Sequence, residues 1–253
     1  MDKRSTLVSD LIDVCHRLYA RGLVTASDGN ISGRLPNGHI LATRSGINKG
    51  MVTGNDLVEV TIDGLQVGGS GKPSTELGMH RFIYAERPDV MAVVHAHPTY
   101  ATGFATARIP LDKCLLPEVI VGLGSIPLAG YGTPSTAELA ESLSPFVKSN
   151  DAILMMNHGA VTCGKTLMEA YFRMEKVEHA AHITFVATML GGARPLSLEQ
   201  LEKLRRVSPQ SYGKDVPGMA VCEPAPQMRE DEEIPDERLR EYVEEAIRKM
   251  NLR

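Results

Sequence analysis

The sequence contains no tryptophan, and aromatic residues make up only 5% of its 253 residues. This composition argues against the aromatic stacking platforms that bind single-stranded nucleic acids. Lys and Arg number 27 against 31 acidic residues, a formal net charge of −4, so no basic field favours nucleic acid. No apolar run approaches the roughly 20 residues that a membrane-spanning helix needs. Because residues 1–20 begin polar and then follow a helical period, we also expect no signal peptide.

Cysteine is sparse as well. The four cysteines, Cys15, Cys114, Cys163 and Cys222, are widely separated and form no CxxC pair. Such spacing favours reduced thiols over a disulfide framework. We therefore expect free thiols and a cytoplasmic location.

The residues that are present predict one large α/β domain. Hydrophobic residues make up 43% of the chain, enough to form a sizeable core. Strand patterns and helix patterns intermingle without strict βαβ alternation, and the longest helical pattern runs over about residues 166–190. We expect a catalytic domain over residues 1–207. Residues 208–253, rich at first in Pro, Gly and acidic residues, predict a C-terminal arm and a charged helix.

Three histidines follow two apolar runs that read as buried strands. The run at residues 90–94 ends in His95-Ala96-His97, and the run at 152–156 is followed by Asn157-His158-Gly159. Side chains alternate along a strand, so His95 and His97 point to the same side. A third imidazole from a neighbouring strand end would complete a three-nitrogen set, which is typical of a catalytic zinc with one open position.

Several short polar segments have the character of anion-binding loops. Ser27-Asp28-Gly29-Asn30 and Ser45-Gly46 are turns with free backbone N–H groups, and Ser74-Thr75 precedes a helix whose N-terminus favours a dianion. Ser74 or Thr75 is also the expected cap of that helix. Neither GxxxxGK[ST] nor GxGxxG occurs, so the anion has no nucleotide signature.

A second group of candidate ligands lies on the long predicted helix. Glu175, Glu178, His179 and His182 resemble a metal constellation in composition, but their order is not HExxH. The same helix carries apolar residues at core spacing. We therefore interpret this group as structural.

The motifs taken together resemble the class II aldolase and adducin family over about residues 5–205. The matching segments occur in the family's order with similar spacing, and they are residues 27–32, 43–50, 56–60, 72–76, 95–97 and 157–160. The resemblance implies a three-layer αβα fold with a central, largely antiparallel sheet flanked by helices. It also implies a homotetramer with active sites at subunit contacts.

The resemblance implies roles for individual residues. It makes His95, His97 and His158 ligands of zinc or another divalent cation, and Glu76 the acid/base group. It makes the phosphate site from six residues: Gly29, Asn30, Ser45, Gly46, Ser74 and Thr75.

The implied activity is a zinc-dependent aldolase of carbohydrate metabolism. Such an enzyme cleaves a phosphorylated ketose such as L-fuculose 1-phosphate to dihydroxyacetone phosphate and an aldehyde through a metal-stabilised enediolate. A sugar-phosphate 4-epimerase or a metal-dependent decarboxylase on the same scaffold remains open. A non-catalytic adducin-like module is disfavoured, because all three histidines and Glu76 are present.

One departure from the family concerns the aldehyde. In fuculose-1-phosphate aldolases a tyrosine of the adjacent subunit, about twenty residues beyond the His-x-His pair, protonates the aldehyde oxygen. An ungapped count places Cys114 there, and no tyrosine lies between Tyr100 and Tyr131.

Overall fold

The computed structural model describes residues 2–212 together with residues 222, 241, 244, 245 and 248. The chain divides into two units. The first consists of Met1–Leu111 and Ile126–Glu178, and the second of Asp112–Ser125 and His179–Arg253. Most of the predicted C-terminal arm and helix over 208–253 lies outside the described residues.

The first unit is built on an eight-stranded sheet. Its strands in chain order are β1 (Asn30–Arg34), β2 (Ile40–Thr43), β3 (Leu57–Val60), β4 (Gln66–Gly68), β5 (Ala92–Ala96), β6 (Leu128–Ala129), β7 (Ala152–Met155) and β8 (Gly159–Gly164). In space they are ordered β4-β3-β2-β1-β5-β8-β7-β6. Only the β6–β7 pair is parallel among these neighbours. The predicted, largely antiparallel sheet is therefore confirmed.

The described helices in chain order are α1 (Lys3–Ala20), α2 (Leu77–Glu86), α3 (Thr99–Ala107), α4 (Pro117–Leu123), α5 (Ala137–Ser142), α6 (Leu167–Met189) and α7 (Leu198–Tyr212). None of them is long and apolar enough to cross a bilayer. The helical patterns over residues 1–20, after Ser74-Thr75 and over about residues 166–190 correspond to α1, α2 and α6. The helix α4 and the strands β4 and β6 were not predicted, because each is too short to show a period.

Helices cover both faces of the sheet, which gives the predicted three layers. On β1 the hydroxyl of Ser32 hydrogen-bonds His80 of α2 at 2.7 Å. The next residue, Gly33, faces Leu7 of α1 so closely that a Cβ would lie 2.6 Å from it. Because neighbouring strand residues point to opposite faces, α1 and α2 lie on opposite sides. The larger buried cluster joins α2 and α5 to one face of the sheet, through residues such as Ile83, Leu139 and Val161.

The expectation of four reduced cysteines is wrong for one pair. In the second unit Cys114 and Cys222 form a disulfide, with Cα atoms 5.3 Å apart. Cys222 packs against the buried cluster that contains Cys114 and Leu201, so the fold brings together residues that are 108 positions apart. Cys15 and Cys163 are free and buried. Burial raises the pKa of both thiols to about 12, so they remain protonated.

The start of α2 also differs from the prediction. The residue that caps this helix is Glu76 rather than Ser74 or Thr75, and its side chain makes no capping hydrogen bond. The carboxylate instead turns towards Asn30, which donates its Nδ2 proton to Oε2 at 2.8 Å. The side chain at the N-cap position is therefore directed into the interior and does not bind the free N–H groups of the helix end.

Candidate metal centre

Three neighbouring strands bring the candidate ligands together. Asn30 at the start of β1 lies opposite His95 near the end of β5, and Ala96 lies opposite Ala160 at the start of β8. His158 precedes β8 by one residue, and His97 follows β5 by one. Strand register therefore places all three imidazoles at the same edge of the sheet.

The turn that carries His158 is tight. Asn157 adopts the left-handed conformation with φ 56°, and the backbone N–H of His158 donates to the carbonyl of Met155 at 3.0 Å. Gly159 follows, where a Cβ would lie 2.5 Å from the Ala96 carbonyl oxygen and 2.6 Å from the His97 ring. Only glycine allows the hairpin to approach β5 this closely.

The ring nitrogens converge on one point. His95 Nε2 and His97 Nε2 are 3.1 Å apart, and the ligand atoms of the three histidines all lie within 4.8 Å of one another. Glu76 completes the set: Oε2 lies 3.3 Å from His95 Nε2, and Oε1 lies 3.0 Å from His158 Nε2. Four tetrahedral ligands of zinc, each about 2.0–2.1 Å from it, lie about 3.3–3.4 Å from one another.

Hydrogen bonding fixes the tautomer of His95. Its Nδ1 donates to the carbonyl oxygen of Ala160 at 2.9 Å, because a carbonyl can only accept. In the neutral ring Nε2 then carries no proton and has a free lone pair. This atom faces Nε2 of His97 and an oxygen of Glu76. A cation placed among these nitrogens and the carboxylate would be bound by all of them. These residues therefore fit a divalent cation, with the Ala160 carbonyl holding the His95 ring in place.

Electrostatics keep the ligands in the forms that a cation requires. Burial, together with the nearby His95 and His158, lowers the pKa of His97 to about 3, so its imidazole is neutral at ordinary pH. Burial on its own would raise the pKa of the Glu76 carboxyl. The adjoining imidazoles of His158 and His95 outweigh burial and hold that pKa well below its usual range. Glu76 is therefore ionised.

The predicted site residues share one cavity of about 440 Å³. All of them except His95 line it, and they are Gly29, Asn30, Ser45, Gly46, Ser74, Thr75, Glu76, His97 and His158. His95 is fully buried. His97 leaves 26% of its side chain exposed, so the centre is open to solvent on the His97 side.

Gly29 allows its loop to pass close to β5, beside the candidate metal ligands. It has φ 72°, and a Cβ there would lie 2.7 Å from the His95 carbonyl oxygen. A larger residue would thus meet both backbone strain and a clash. The loop can approach β5 only because this position has no side chain.

Sequence reasoning missed three charged residues that line the same cavity: Asp28, Arg44 and Lys49. Asp28 Oδ2 lies 3.7 Å from His97 Nδ1, and Arg44 donates to Asp56 at 2.9 Å. All three lie within the family-like segments at 27–32 and 43–50, but a single charged residue in a loop carries no periodic signal of burial. Their position became clear only from the fold.

A buried polar network lies behind the carboxylate. The Ser32 hydroxyl contacts His80 Nδ1 at 2.7 Å and the Tyr84 hydroxyl at 2.9 Å. Burial lowers the pKa of His80 to about 3 and raises that of Tyr84 well above its usual range. His80 lies four residues after Glu76, one turn along the same helix, so the network fixes α2 against β1 next to the site.

Known proteins are similar to this chain in both sequence and fold. The chain matches the class II aldolase and adducin N-terminal domain over residues 9–185. It is 34% identical over 196 residues to a 3-oxo-tetronate 4-phosphate decarboxylase of Escherichia coli, covering 76% of this chain and 90% of that protein. It is 35% identical over 184 residues to an L-fuculose phosphate aldolase of Methanococcus maripaludis, covering 73% and 98%. The crystal structure of YgbL from Escherichia coli superposes with a TM-score of 0.73 at 32% identity, covering 79% of this chain and 98% of that one.

Proposed function

The chain belongs to the class II aldolase and adducin family, and on that premise we propose that it is a metal-dependent carbon–carbon lyase acting on a phosphorylated carbonyl compound. One observation carries the proposal. Three imidazoles and the Glu76 carboxylate converge at one end of a cavity whose remaining wall is formed by loops that carry glycine, hydroxyl, amide and charged side chains.

His95, His97 and His158 would hold the cation, with zinc the first candidate because imidazole sets of this kind suit it. When bound, the cation supplies Lewis acidity that stabilises the negative charge developing on a carbonyl or hydroxyl oxygen of the substrate. The fixed tautomer of His95 keeps its Nε2 lone pair available for this role.

Glu76 is the proposed acid/base. Its carboxylate is ionised, lies beside the histidine nitrogens and is oriented by the Asn30 amide at 2.8 Å. It can remove a proton from a substrate hydroxyl, or return a proton to the carbon that becomes nucleophilic when the bond breaks. Because the carboxylate is held next to the metal ligands, the base does not have to be recruited from solvent, which lowers the entropic part of the barrier.

The loops at the other end of the cavity would bind the phosphate. The residues are Gly29, Asn30, Ser45, Gly46, Ser74 and Thr75, and Ser74 and Thr75 lie directly before α2, whose N-terminus favours an anion. Phosphate bound away from the reacting carbon contributes orientation, which lowers the barrier without taking part in the bond change.

Aldol cleavage is the first candidate reaction. It would convert a ketose 1-phosphate, with L-fuculose 1-phosphate the leading example, to dihydroxyacetone phosphate and an aldehyde. Several relatives named L-fuculose phosphate aldolase support this candidate. The cavity supports it as well, because the proposed phosphate-binding loops and most of the proposed metal ligands line the same cavity.

Decarboxylation is the second candidate, and a specific observation favours it. Cys114, which takes the place of the family's tyrosine in an ungapped count, is bound in a disulfide, so this position offers no acid for the aldehyde oxygen of an aldol product. Loss of CO₂ needs no acid at the departing carbon, so the residues present suffice. The relatives named 3-oxo-tetronate 4-phosphate decarboxylase support this candidate.

One assay separates the candidates. Zinc-loaded protein is incubated with ketose 1-phosphates, their unphosphorylated forms and 3-oxo-tetronate 4-phosphate, and the products are identified by mass spectrometry. Aldol cleavage releases dihydroxyacetone phosphate, decarboxylation releases CO₂, and epimerisation leaves the carbon count unchanged. Equal kcat/KM for phosphorylated and unphosphorylated forms would reject the phosphate part of the proposal.

We further propose a homotetramer working in the cytoplasm. The assembly rests on the resemblance to family members rather than on a contact within one chain. The location rests on the sparse, widely separated cysteines, of which Cys15 and Cys163 are free. Sedimentation at working concentration tests the assembly, and a monomer that is fully active would reject it.

A further inference from the structure

The most unusual side chain near the candidate site is a buried lysine. Lys49 is only 1% exposed, and no ion pair with it occurs within the part of the chain that the structure describes. Placing an ammonium in the interior without a carboxylate partner is costly. Burial accordingly lowers the pKa of Lys49. Because this burial is unfavourable, we expect Lys49 to have a role that offsets it.

The hydrogen bonds of Lys49 join the two turns of the cavity. Its Nζ donates to the carbonyl of Ser27 at 2.8 Å and to that of Ile47 at 2.9 Å. Ser27 begins the loop that carries Gly29 and Asn30, whereas Ile47 follows Ser45 and Gly46. One side chain therefore ties together the two loops whose backbone faces the anion end.

The position of Lys49 is itself fixed. It begins a short 3-10 turn, Lys49–Met51, and the Asn48 side chain caps that turn by accepting from the Gly50 N–H at 2.8 Å. Lys49 also lines the cavity. Cys15, Asp28 and Glu76 favour its charged form without a hydrogen bond to it. An ammonium in the wall of a cavity attracts an anion.

From this arrangement we propose that Lys49 is a positioning residue of the anion end, and that its buried ammonium joins the two loops and makes their cavity selective for a dianionic phosphate monoester. The inference rests on the proposed phosphate site. It adds the residue that holds the site together, and it predicts that selectivity comes from a buried fixed charge as well as from the N–H groups.

The test measures binding of glycerol 3-phosphate, with glycerol as the uncharged comparison, to metal-loaded protein by calorimetry. Lys49→Met removes the charge and both hydrogen bonds at similar side-chain length, and Lys49→Gln removes the charge but keeps an amide donor. Lys148→Met is the matched control, because Lys148 is exposed and pairs with Glu86 at 3.2 Å. Metal content and melting temperature are recorded for each variant.

We expect the Kd of glycerol 3-phosphate to rise by about tenfold or more in both Lys49 variants and to stay within about twofold in Lys148→Met. Glycerol binding and metal content should not change, and with a phosphorylated substrate KM should rise more than kcat falls. This split distinguishes positioning from a general loss of structure.

Three outcomes would overturn the proposal. One is wild-type affinity in Lys49→Gln, since carbonyl bonding alone would then account for the role. Another is unchanged affinity in Lys49→Met with a lowered melting temperature. The third is failure of both neutral variants to fold, because the ammonium would then serve the fold. A wild type that binds glycerol 3-phosphate as expected yet cleaves no substrate would instead reject the proposed activity and leave this inference intact.

Discussion

Two groups of histidine and glutamate residues occur in this protein, and only one is arranged as a metal site. In the strand-edge group, His95, His97 and His158 direct their nitrogens to one point beside Glu76. It is the only such group of potential ligands among the described residues. The helix group on α6, which consists of Glu175, Glu178, His179 and His182, has similar composition but no common point.

The two glutamates of the helix group make structural hydrogen bonds. Glu178 accepts the backbone N–H groups of Tyr100 and Ala101 at 3.0 and 2.9 Å, at the start of α3. Glu175 accepts from Arg21 at 2.9 Å and from the Tyr171 hydroxyl at 2.6 Å. The two histidines of the group are exposed. Metal ligation therefore requires lone pairs that converge on one point, and suitable residue types on one helix are not sufficient.

The largest expected effect tests the comparison directly. His95→Ala should abolish turnover and metal binding, because it removes the fully buried ligand whose Nε2 has no other role. His179→Ala is the matched control and should leave both unchanged. The measurements are kcat/KM and metal content of the purified variants. Equal loss in the two variants would erase the distinction between the groups.

A smaller effect is expected at the carboxylate. Glu76→Gln keeps the size of the side chain and should keep the metal, but it should lower kcat by roughly 10²–10⁴-fold, the usual range for an acid/base group. Glu175→Gln should leave kcat near the wild-type value. Steady-state kinetics at saturating zinc would check both, and near-normal turnover in Glu76→Gln would contradict the assignment.

A third prediction concerns the buried histidine that is not a ligand, His80. Its pKa is about 3 in the fold against an ordinary value of 6.5, so the unfolded chain takes up a proton that the folded chain refuses. Above pH 6.5 the group gives no pH dependence. Between pH 6.5 and 3 it lowers the free energy of unfolding by up to about 1.4 kcal/mol per pH unit.

Urea unfolding of metal-free protein between pH 7 and pH 5 would measure this slope, starting above the ordinary histidine pKa of 6.5. His80→Gln should flatten the dependence, whereas His179→Gln should leave it unchanged. An identical slope in His80→Gln and wild type would show that His80 does not titrate as its burial requires.

The smallest expected effect lies in the helix group. Glu178→Ala removes the acceptor for two N–H groups at the start of α3 and should cost about 1 kcal/mol of stability. The metal content should stay at the wild-type level. His179→Ala should change stability by less than about 0.5 kcal/mol. Denaturant midpoints are the measurement, and loss of metal in Glu178→Ala would mean that the two groups are coupled.

The sequence predicted the parts of the site that depend on local order. The spacing of His95 and His97 on one strand follows from the strand period, and the largely antiparallel sheet followed from the family resemblance. Glu76 came only from its motif and that resemblance, because no period marks an isolated carboxylate. Burial of Lys49 could not be predicted, since it depends on two loops that meet only in the fold.

The errors have the same origin. Cys114 and Cys222 are 108 residues apart, and sequence spacing carries no information on their proximity. The cap of α2 was assigned to Ser74 or Thr75 on local preference, but Glu76 takes the position because its side chain is attracted to Asn30 and the histidines. At this position the contacts of Glu76 with residues distant in sequence outweigh the local preference for Ser or Thr as the helix cap.

The central claim is that the strand-edge histidines hold one catalytic cation. The most direct test is elemental analysis of purified protein that has not been exposed to chelator, combined with an activity assay on the same sample. We predict about one divalent metal per chain, most of it zinc, with activity lost on chelation and restored by zinc. Protein that is metal-free and fully active would contradict the account.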